Sequence, residues 1–139
     1  MSAIYLETSA LLSWLLGQSG GATVRAEIDR AEVVVTSIVT PLEAERALAR
    51  SLRTDALSEV DVRRARGALA RARASWIVMT LTDEVAARAG AAFPVEPVRT
   101  LDAIHLATAL RFVEAFPDLR LLTLDRRVAA NGSALGLFG

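Results

Sequence analysis

Four short apolar runs divide the chain, and each has the length of a buried strand. They lie at 3–6, 33–37, 76–81 and 120–124. Apolar residues occupy successive positions in these runs rather than alternate ones, which is typical of strands covered on both faces. The pattern therefore predicts the strands of a parallel sheet that is buried between helices.

The segments between these runs have helical patterns and helix-start signals. Thr8 or Ser9 can cap the first helix, and the sequence SEVD, which begins at Ser58, is a weaker capping signal. Two prolines mark 94–100 as a loop. The predicted helices cover 8–16, 22–31, 40–53, 58–74, 82–93 and 101–116, a last helix begins near Asp125, and a final strand at Leu137–Phe138 is a further candidate.

Strands that alternate with helices predict the fold class. We expect a three-layer α/β/α sandwich with a central, mostly parallel sheet of four to five strands. A chain of 139 residues is long enough to bury its own core. We therefore expect one domain that spans residues 1–139.

The composition excludes several kinds of site. The chain has no Cys and one His, and all 16 of its basic residues are Arg. Disulfides, thiolate or multi-His metal sites, the P-loop lysine and Schiff-base chemistry are thereby excluded. A bound metal would have mainly oxygen ligands, which favours Mg²⁺ or Mn²⁺. Without a basic leader or an apolar run long enough to span a bilayer, the chain is predicted to be cytoplasmic, with no membrane contact.

Four carboxylates lie where strands end or helices begin. They belong to Glu7, Glu43, Asp102 and Asp125. Because the carboxyl ends of parallel strands meet at one edge of a sheet, these four side chains could gather there. Glu7 and Asp102 lie in apolar surroundings and need partners. Glu43 could instead serve only the helix dipole, and Asp125 could be only a cap or an ion-pair partner.

The helix predicted at 40–53 leaves the choice between two acids open. At 100° per residue Glu45 falls among the apolar positions, whereas Glu43 lies beside the arginines. The helical wheel alone therefore favours Glu45 as the unusual acid. The first turn of a helix faces the end of the sheet rather than its flank, however, so the wheel does not decide the question.

Four motifs resemble those of PIN-domain ribonucleases, and among them VapC-type toxins of bacterial toxin–antitoxin pairs. The motifs are YLETSAL near the N-terminus, Ser37 followed six residues later by Glu43, TLDAIHLATAL at 100–110, and TLDRRVAANGSALG at 123–136. The resemblance extends from residue 4 to residue 136. The spacing from Ser37 favours Glu43 over Glu45.

The resemblance implies an endoribonuclease that leaves a 5′-phosphate and a 3′-hydroxyl. The four acids named above would take the catalytic positions and bind Mg²⁺ or Mn²⁺, and Ser9 and Thr123 would support them. The family usually has Asp where Glu7 stands. It also implies a small antitoxin partner and a homodimer. Trp14, Leu57 and Val60 could line an interface with a partner, although burial in the core is the default for such apolar residues.

Arginines are the candidates for holding RNA, in single-stranded or loop regions. Residues 46–73 contain eight Arg and three acids. Arg46 and Arg50 share a helix face beside Glu43 and could bind phosphates, and Arg99 is a second candidate. A solvated helix face is an equally good interpretation. His105 lies one turn from Asp102, and we expect it to be packed or hydrogen-bonded rather than to act as a base.

Three other functions compete with the nuclease. The chain could be a catalytically weak or inactive PIN-like module that binds RNA or a partner, because Glu7 replaces the usual Asp. A receiver domain would need a lysine that the chain lacks. A small-molecule phosphohydrolase would need an aspartate nucleophile, and the first strand is followed by ETS instead.

Overall fold

The computed structural model describes residues 2–137. Four strands and seven helices follow one another along the chain. The strands are β1 (Ala3–Leu6), β2 (Val33–Ser37), β3 (Ile77–Met79) and β4 (Arg120–Leu122). The helices are α1 (Thr8–Leu15), α2 (Gly21–Arg30), α3 (Val39–Arg53), α4 (Glu59–Arg73), α5 (Asp83–Ala89), α6 (Thr100–Val113) and α7 (Arg126–Ala134).

The strands form one parallel sheet in the order β3-β2-β1-β4. Ile4 of β1 pairs with Val34 of β2 and with Arg120 of β4. Thr36 of β2 pairs with Val78 of β3. The predicted parallel sheet is confirmed, and its two central strands are β1 and β2.

Helices cover both faces of the sheet. The side chains of β1 point alternately to the two faces and pack in two separate cores. Ala3 and Tyr5 pack with residues of α6 and α7, whereas Ile4 and Leu6 pack with residues of α1 to α4. All four side chains are at most 2% exposed. The two cores make the predicted three-layer sandwich, and they turn the Tyr5 ring towards α6.

Two predicted strands are longer than the observed ones. The run at 76–81 forms a strand only at 77–79, and the run at 120–124 forms one only at 120–122. Both are edge strands with one pairing neighbour, so apolar character alone does not keep their ends in the sheet. At the C-terminus Leu137 accepts a backbone hydrogen bond from Leu121 at 2.8 Å but is not in a strand, and Phe138 lies outside the described residues.

The helix starts differ from the predictions in two places that matter for the site. Glu7, rather than Thr8 or Ser9, caps α1, because its carboxylate accepts the amide hydrogen of Ser9. Helix α3 begins at Val39, so Glu43 lies just beyond the first turn instead of within it. The capping box at Ser58 is present as predicted, with Asp61 as its partner.

No helix within residues 2–137 combines the length and the apolar character that crossing a bilayer requires.

Candidate active site

The carboxyl edge of the sheet collects the four acids that the sequence singles out. Glu7 directly follows the central strand β1, and Asp125 follows β4 and caps α7. Glu43 comes from α3, which follows β2, and Asp102 from the first turn of α6. The parallel topology thus brings four distant segments to one edge.

Glu7 lies at the centre of this edge and is almost completely buried. Its side chain is 5% exposed, and neutral donors surround its carboxylate. Oε2 accepts from the Ser9 amide at 3.0 Å, and Oε1 accepts from the hydroxyls of Ser9 and Thr123. Thr123 Oγ1 also accepts from the Asp125 amide at 3.0 Å. Ser9 and Thr123, expected to support the site, therefore fix the position of Glu7.

Glu43 is held by a group that we call the histidine side: Tyr5, Thr8, Glu43 and His105. Glu43 Oε1 accepts from Thr8 Oγ1 at 2.5 Å and lies 2.7 Å from His105 Nε2. The other ring nitrogen, Nδ1, lies 2.8 Å from the Tyr5 hydroxyl. Tyr5 and His105 are 0% and 1% exposed. The chain of contacts thus reaches from the protein core to the carboxylate.

On the histidine side the pKa of Tyr5 is raised and the pKa of Glu43 is lowered. Burial, together with the negative charge of Glu7, raises the pKa of Tyr5 far above its usual range. Burial would also raise the pKa of Glu43, but the hydrogen bonds from His105 and Thr8 outweigh it, and the pKa is lowered. Tyr5 therefore remains a donor, and Glu43 remains a carboxylate.

The other two acids belong to what we call the arginine side: Arg99, Asp102 and Asp125. Arg99 Nε lies 3.0 Å from Asp102 Oδ2, and Arg99 Nη2 lies 3.5 Å from Asp125 Oδ2. Asp125 uses its second oxygen, Oδ1, to cap α7, so its predicted capping role is also present. The Arg99 side chain is 66% exposed. A solvent-exposed cation therefore balances these two carboxylates.

The donors at this edge fit a hard divalent cation in their chemistry. They are carboxylate and hydroxyl oxygens, which Mg²⁺ and Mn²⁺ prefer. Within residues 2–137, however, no three Asp, Glu or His side chains lie close enough in this structure to share an ion. Arg99 already supplies positive charge between Asp102 and Asp125, so its guanidinium would have to move if these carboxylates were to share a metal.

The arginines predicted to hold RNA also lie near this edge. Arg46 and Arg50 line the same cleft as Glu43, and Arg99 borders the neighbouring cleft with Asp102. Glu45 instead points to α4, where it pairs with Arg66 at 3.1 Å. The structure thus places Glu43, and not Glu45, among the acids of the edge.

Two members of the site were missed by sequence reasoning. Thr8 was considered only as a helix cap, and Tyr5 only as part of a strand. A hydroxyl in a buried strand needs a hydrogen-bond partner, and this was the available signal for Tyr5. Its partner, His105, is 100 residues away, so the sequence could not supply the pairing.

Comparisons with known proteins identify the family of the chain. A profile of the PIN domain matches residues 4–132. The chain belongs to the PIN-domain family. Among its relatives is Ribonuclease VapC35 of Mycobacterium tuberculosis, which is 35% identical over 136 residues, covering 96% of this chain and 93% of the relative. Ribonuclease VapC46 of the same species is 33% identical over 138 residues, covering 99% and 95%.

Solved structures place this PIN domain in the same fold. The crystal structure of VapC20 from Mycobacterium tuberculosis, described as a toxin that cleaves the sarcin-ricin loop, has a TM-score of 0.67 and 20% identity. The match covers 93% of this chain and 95% of that one. PAE2754 of Pyrobaculum aerophilum has a TM-score of 0.60 and 23% identity, covering 94% and 84%. At these identities the likeness concerns the fold.

Proposed function

We propose that this PIN domain is a metal-dependent endoribonuclease and the toxin of a toxin–antitoxin pair. The observation that carries the proposal is the gathering of Glu7, Glu43, Asp102 and Asp125 at the carboxyl edge of the sheet. The ribonuclease names of relatives that match nearly the whole chain support it.

In the proposed reaction a water molecule attacks the phosphorus of an RNA phosphodiester. A new bond forms from the water oxygen to phosphorus, the bond from phosphorus to the 3′-oxygen breaks, and that oxygen takes a proton from solvent to become a 3′-hydroxyl. The other product carries a 5′-phosphate. A bound Mg²⁺ or Mn²⁺ would polarise the phosphoryl oxygens and acidify the attacking water. Glu7, Asp102 and Asp125 would hold the ion, and Glu43 would either be a further ligand or act as the general base.

The chain's own residues supply the remaining steps. Glu43 is ionised and fixed through one carboxylate oxygen, so its other oxygen can take a proton from the attacking water. Arg46 and Arg50 lie beside Glu43 and would bind RNA phosphates. Among the eight arginines at 46–73, Arg66 alone forms an ion pair in the described part of the chain. The others are therefore free of competing carboxylates.

Cleavage of a randomised pool of single-stranded RNA tests the proposal. We expect sequencing to show cut sites with 5′-phosphate ends when Mg²⁺ or Mn²⁺ is present, and none in excess EDTA. Glu43→Gln should abolish cleavage, whereas the matched control Glu45→Gln, two residues along the same helix, should not. Cleavage that persists in EDTA, or equal activity in both variants, would contradict the mechanism.

A second candidate function rests on Glu7. Its side chain is one methylene longer than that of the aspartate usual in the family. Three neutral donors already hold its carboxylate. A PIN-like module that binds RNA or a partner without cutting is the alternative. It predicts that the wild-type protein binds RNA without cleaving it, even with Mn²⁺, and that Glu7→Asp gains cleavage. Cleavage by the wild-type protein would exclude it.

Partners and assembly extend the proposal. A small antitoxin would bind the chain, and two copies would form a homodimer in the cytoplasm, each contributing residues 1–139 as one domain. Val60 is 49% exposed on α4 and is a candidate contact between copies. Light scattering of the purified protein should give twice the mass of 14.9 kDa, and Val60→Asp should shift it towards the monomer.

A further inference from the structure

His105 is a buried polar residue for which the proposed reaction has no step. Its ring is 1% exposed, and both nitrogens have partners: Tyr5 on one side, and Glu43 and Thr8 on the other. A buried imidazole that bridges the core to one carboxylate is well placed to fix that carboxylate. We propose that His105 is a positioning residue for Glu43, and that Tyr5 sets the ring in the orientation this requires.

The hydrogen-bond network places a hydrogen on Nε2 of the ring. Thr8 Oγ1 donates to Glu43 Oε1, and a carboxylate can only accept, so His105 Nε2 donates to the same oxygen. The Tyr5 hydroxyl lies 2.8 Å from Nδ1 and, as both a donor and an acceptor, can pair with that nitrogen in either protonation state. A single orientation of the ring thereby gives hydrogen-bond partners to Tyr5, His105 and Glu43.

The elements that carry these groups pack against one another. Tyr5 belongs to the central strand β1, and its ring meets the imidazole edge-on at a centroid distance of 5.9 Å. His105 lies one turn after Asp102 on α6, which is buried around most of its circumference. The contact of His105 with Glu43 therefore ties α3 to the helix that carries Asp102. A role for the contact between His105 and Glu43 in RNA cleavage rests on the proposed function.

Nitrogen NMR of the imidazole tests the contacts directly, without any activity measurement. The chain has a single histidine, so its ring signals are unambiguous. In metal-free protein we expect Nε2 to carry a hydrogen and the ring to hold one orientation. Glu43→Gln should move mainly the Nε2 signal, and Tyr5→Phe mainly the Nδ1 signal. Superimposable spectra of wild type and Glu43→Gln, or a ring averaging between tautomers, would overturn the proposal.

Kinetics on the RNA cleaved from the pool test the consequence. A residue that acts through Glu43 without touching RNA should change kcat and leave KM nearly unchanged. We expect His105→Leu to lower kcat by about 10- to 100-fold, the range found for residues that orient a ligand or a base. His105→Gln, whose side-chain amide can still donate near the Nε2 position, should recover most of the loss. A rise in KM with kcat unchanged would overturn the proposal.

Thr108 provides the matched control for stability. It lies on the same helix, is 1% exposed, and donates to the Ile104 carbonyl rather than to the site. Thr108→Ala should destabilise the fold without lowering the kcat of the folded fraction. If His105→Leu does not fold, Tyr5→Phe and His105→Gln provide the kinetic comparison. If wild type cleaves no RNA in the pool, the proposed function fails, while the NMR spectra still decide the positioning contact.

Discussion

The histidine side and the arginine side compensate negative charge at the same edge in opposite ways. Glu43 is held by groups that are buried and fixed, whereas Asp102 and Asp125 share the guanidinium of an exposed side chain. Fixed donors hold the Glu43 carboxylate ionised and in one orientation. The exposed Arg99 guanidinium, in contrast, can move away from Asp102 and Asp125. The contrast suggests that Glu43 is set in place before any ligand binds, while Asp102 and Asp125 can exchange Arg99 for another cation.

Glu7 lies between these two sides and follows a third arrangement. Neutral donors from Ser9 and Thr123 satisfy it, with no cation in direct contact among the described residues. Thr123 also binds the Asp125 amide, and Thr8 follows Glu7 directly in the chain. The central carboxylate thus connects the two sides through short hydroxyl residues.

The largest expected effect comes from the acid whose partner can leave. Asp102→Asn should lower RNA cleavage by more than about a hundredfold, because even residues that only support metal ligands cost 10- to 100-fold. A single-turnover assay with saturating Mn²⁺ measures this. Asp83→Asn, also in the first turn of a helix, is the control and should keep full activity. Equal activity of the two variants would remove Asp102 from the mechanism.

The free energy of unfolding should fall much more when the histidine side is altered than when the arginine side is altered. His105→Leu leaves the Tyr5 hydroxyl and the Glu43 carboxylate without their shared partner, which should cost about 2–4 kcal/mol of unfolding free energy. Arg99→Ala removes two ion pairs whose cation is exposed to solvent, and should cost less than His105→Leu. Urea unfolding in EDTA gives both values. A large loss for Arg99→Ala would show that the arginine side is structural rather than exchangeable.

Removing the charge of Arg99 should raise the affinity for metal, whereas the loss of a binding contact would lower it. If the guanidinium competes with a cation for Asp102 and Asp125, Arg99→Gln should tighten Mn²⁺ binding several-fold, as measured by electron paramagnetic resonance. Arg111→Gln is the control, because Arg111 also bridges two acids, Glu84 and Glu114, at the far end of α6. Weaker binding in Arg99→Gln alone would contradict the competition.

The smallest effect concerns pH in the metal-free protein. The pKa of Glu43 is lowered in the folded state, so on acidification the unfolded chain takes up the proton first. Glu43 therefore contributes stability above the ordinary pKa of glutamate, and the contribution is lost as the pH falls through the lowered value. The difference in unfolding free energy between wild type and Glu43→Gln should narrow as the pH falls from about 7 to about 3. A difference that grows in acid would reverse the assignment.

Local patterns sufficed for most of the fold. Each buried strand is a continuous apolar run, and this pattern alone indicates a sheet covered on both faces. The ends of β3 and β4 were predicted too far along the chain, because an edge strand stops where its neighbour stops. The start of α3 was predicted one residue too late, which moved Glu43 into the first turn.

The sequence by itself determined the order of elements, the parallel sheet and the four acids that lie at its carboxyl edge. Their separation along the chain is irrelevant to this result, because parallel strands place all their carboxyl ends together. The motif spacing favoured Glu43 over Glu45, but only the tertiary structure placed the two side chains, since their positions depend on how α3 is rotated against α4 and α6. It also decided the partner of each carboxylate, because contacts such as Tyr5 with His105 join residues whose spacing along the chain carries no signal.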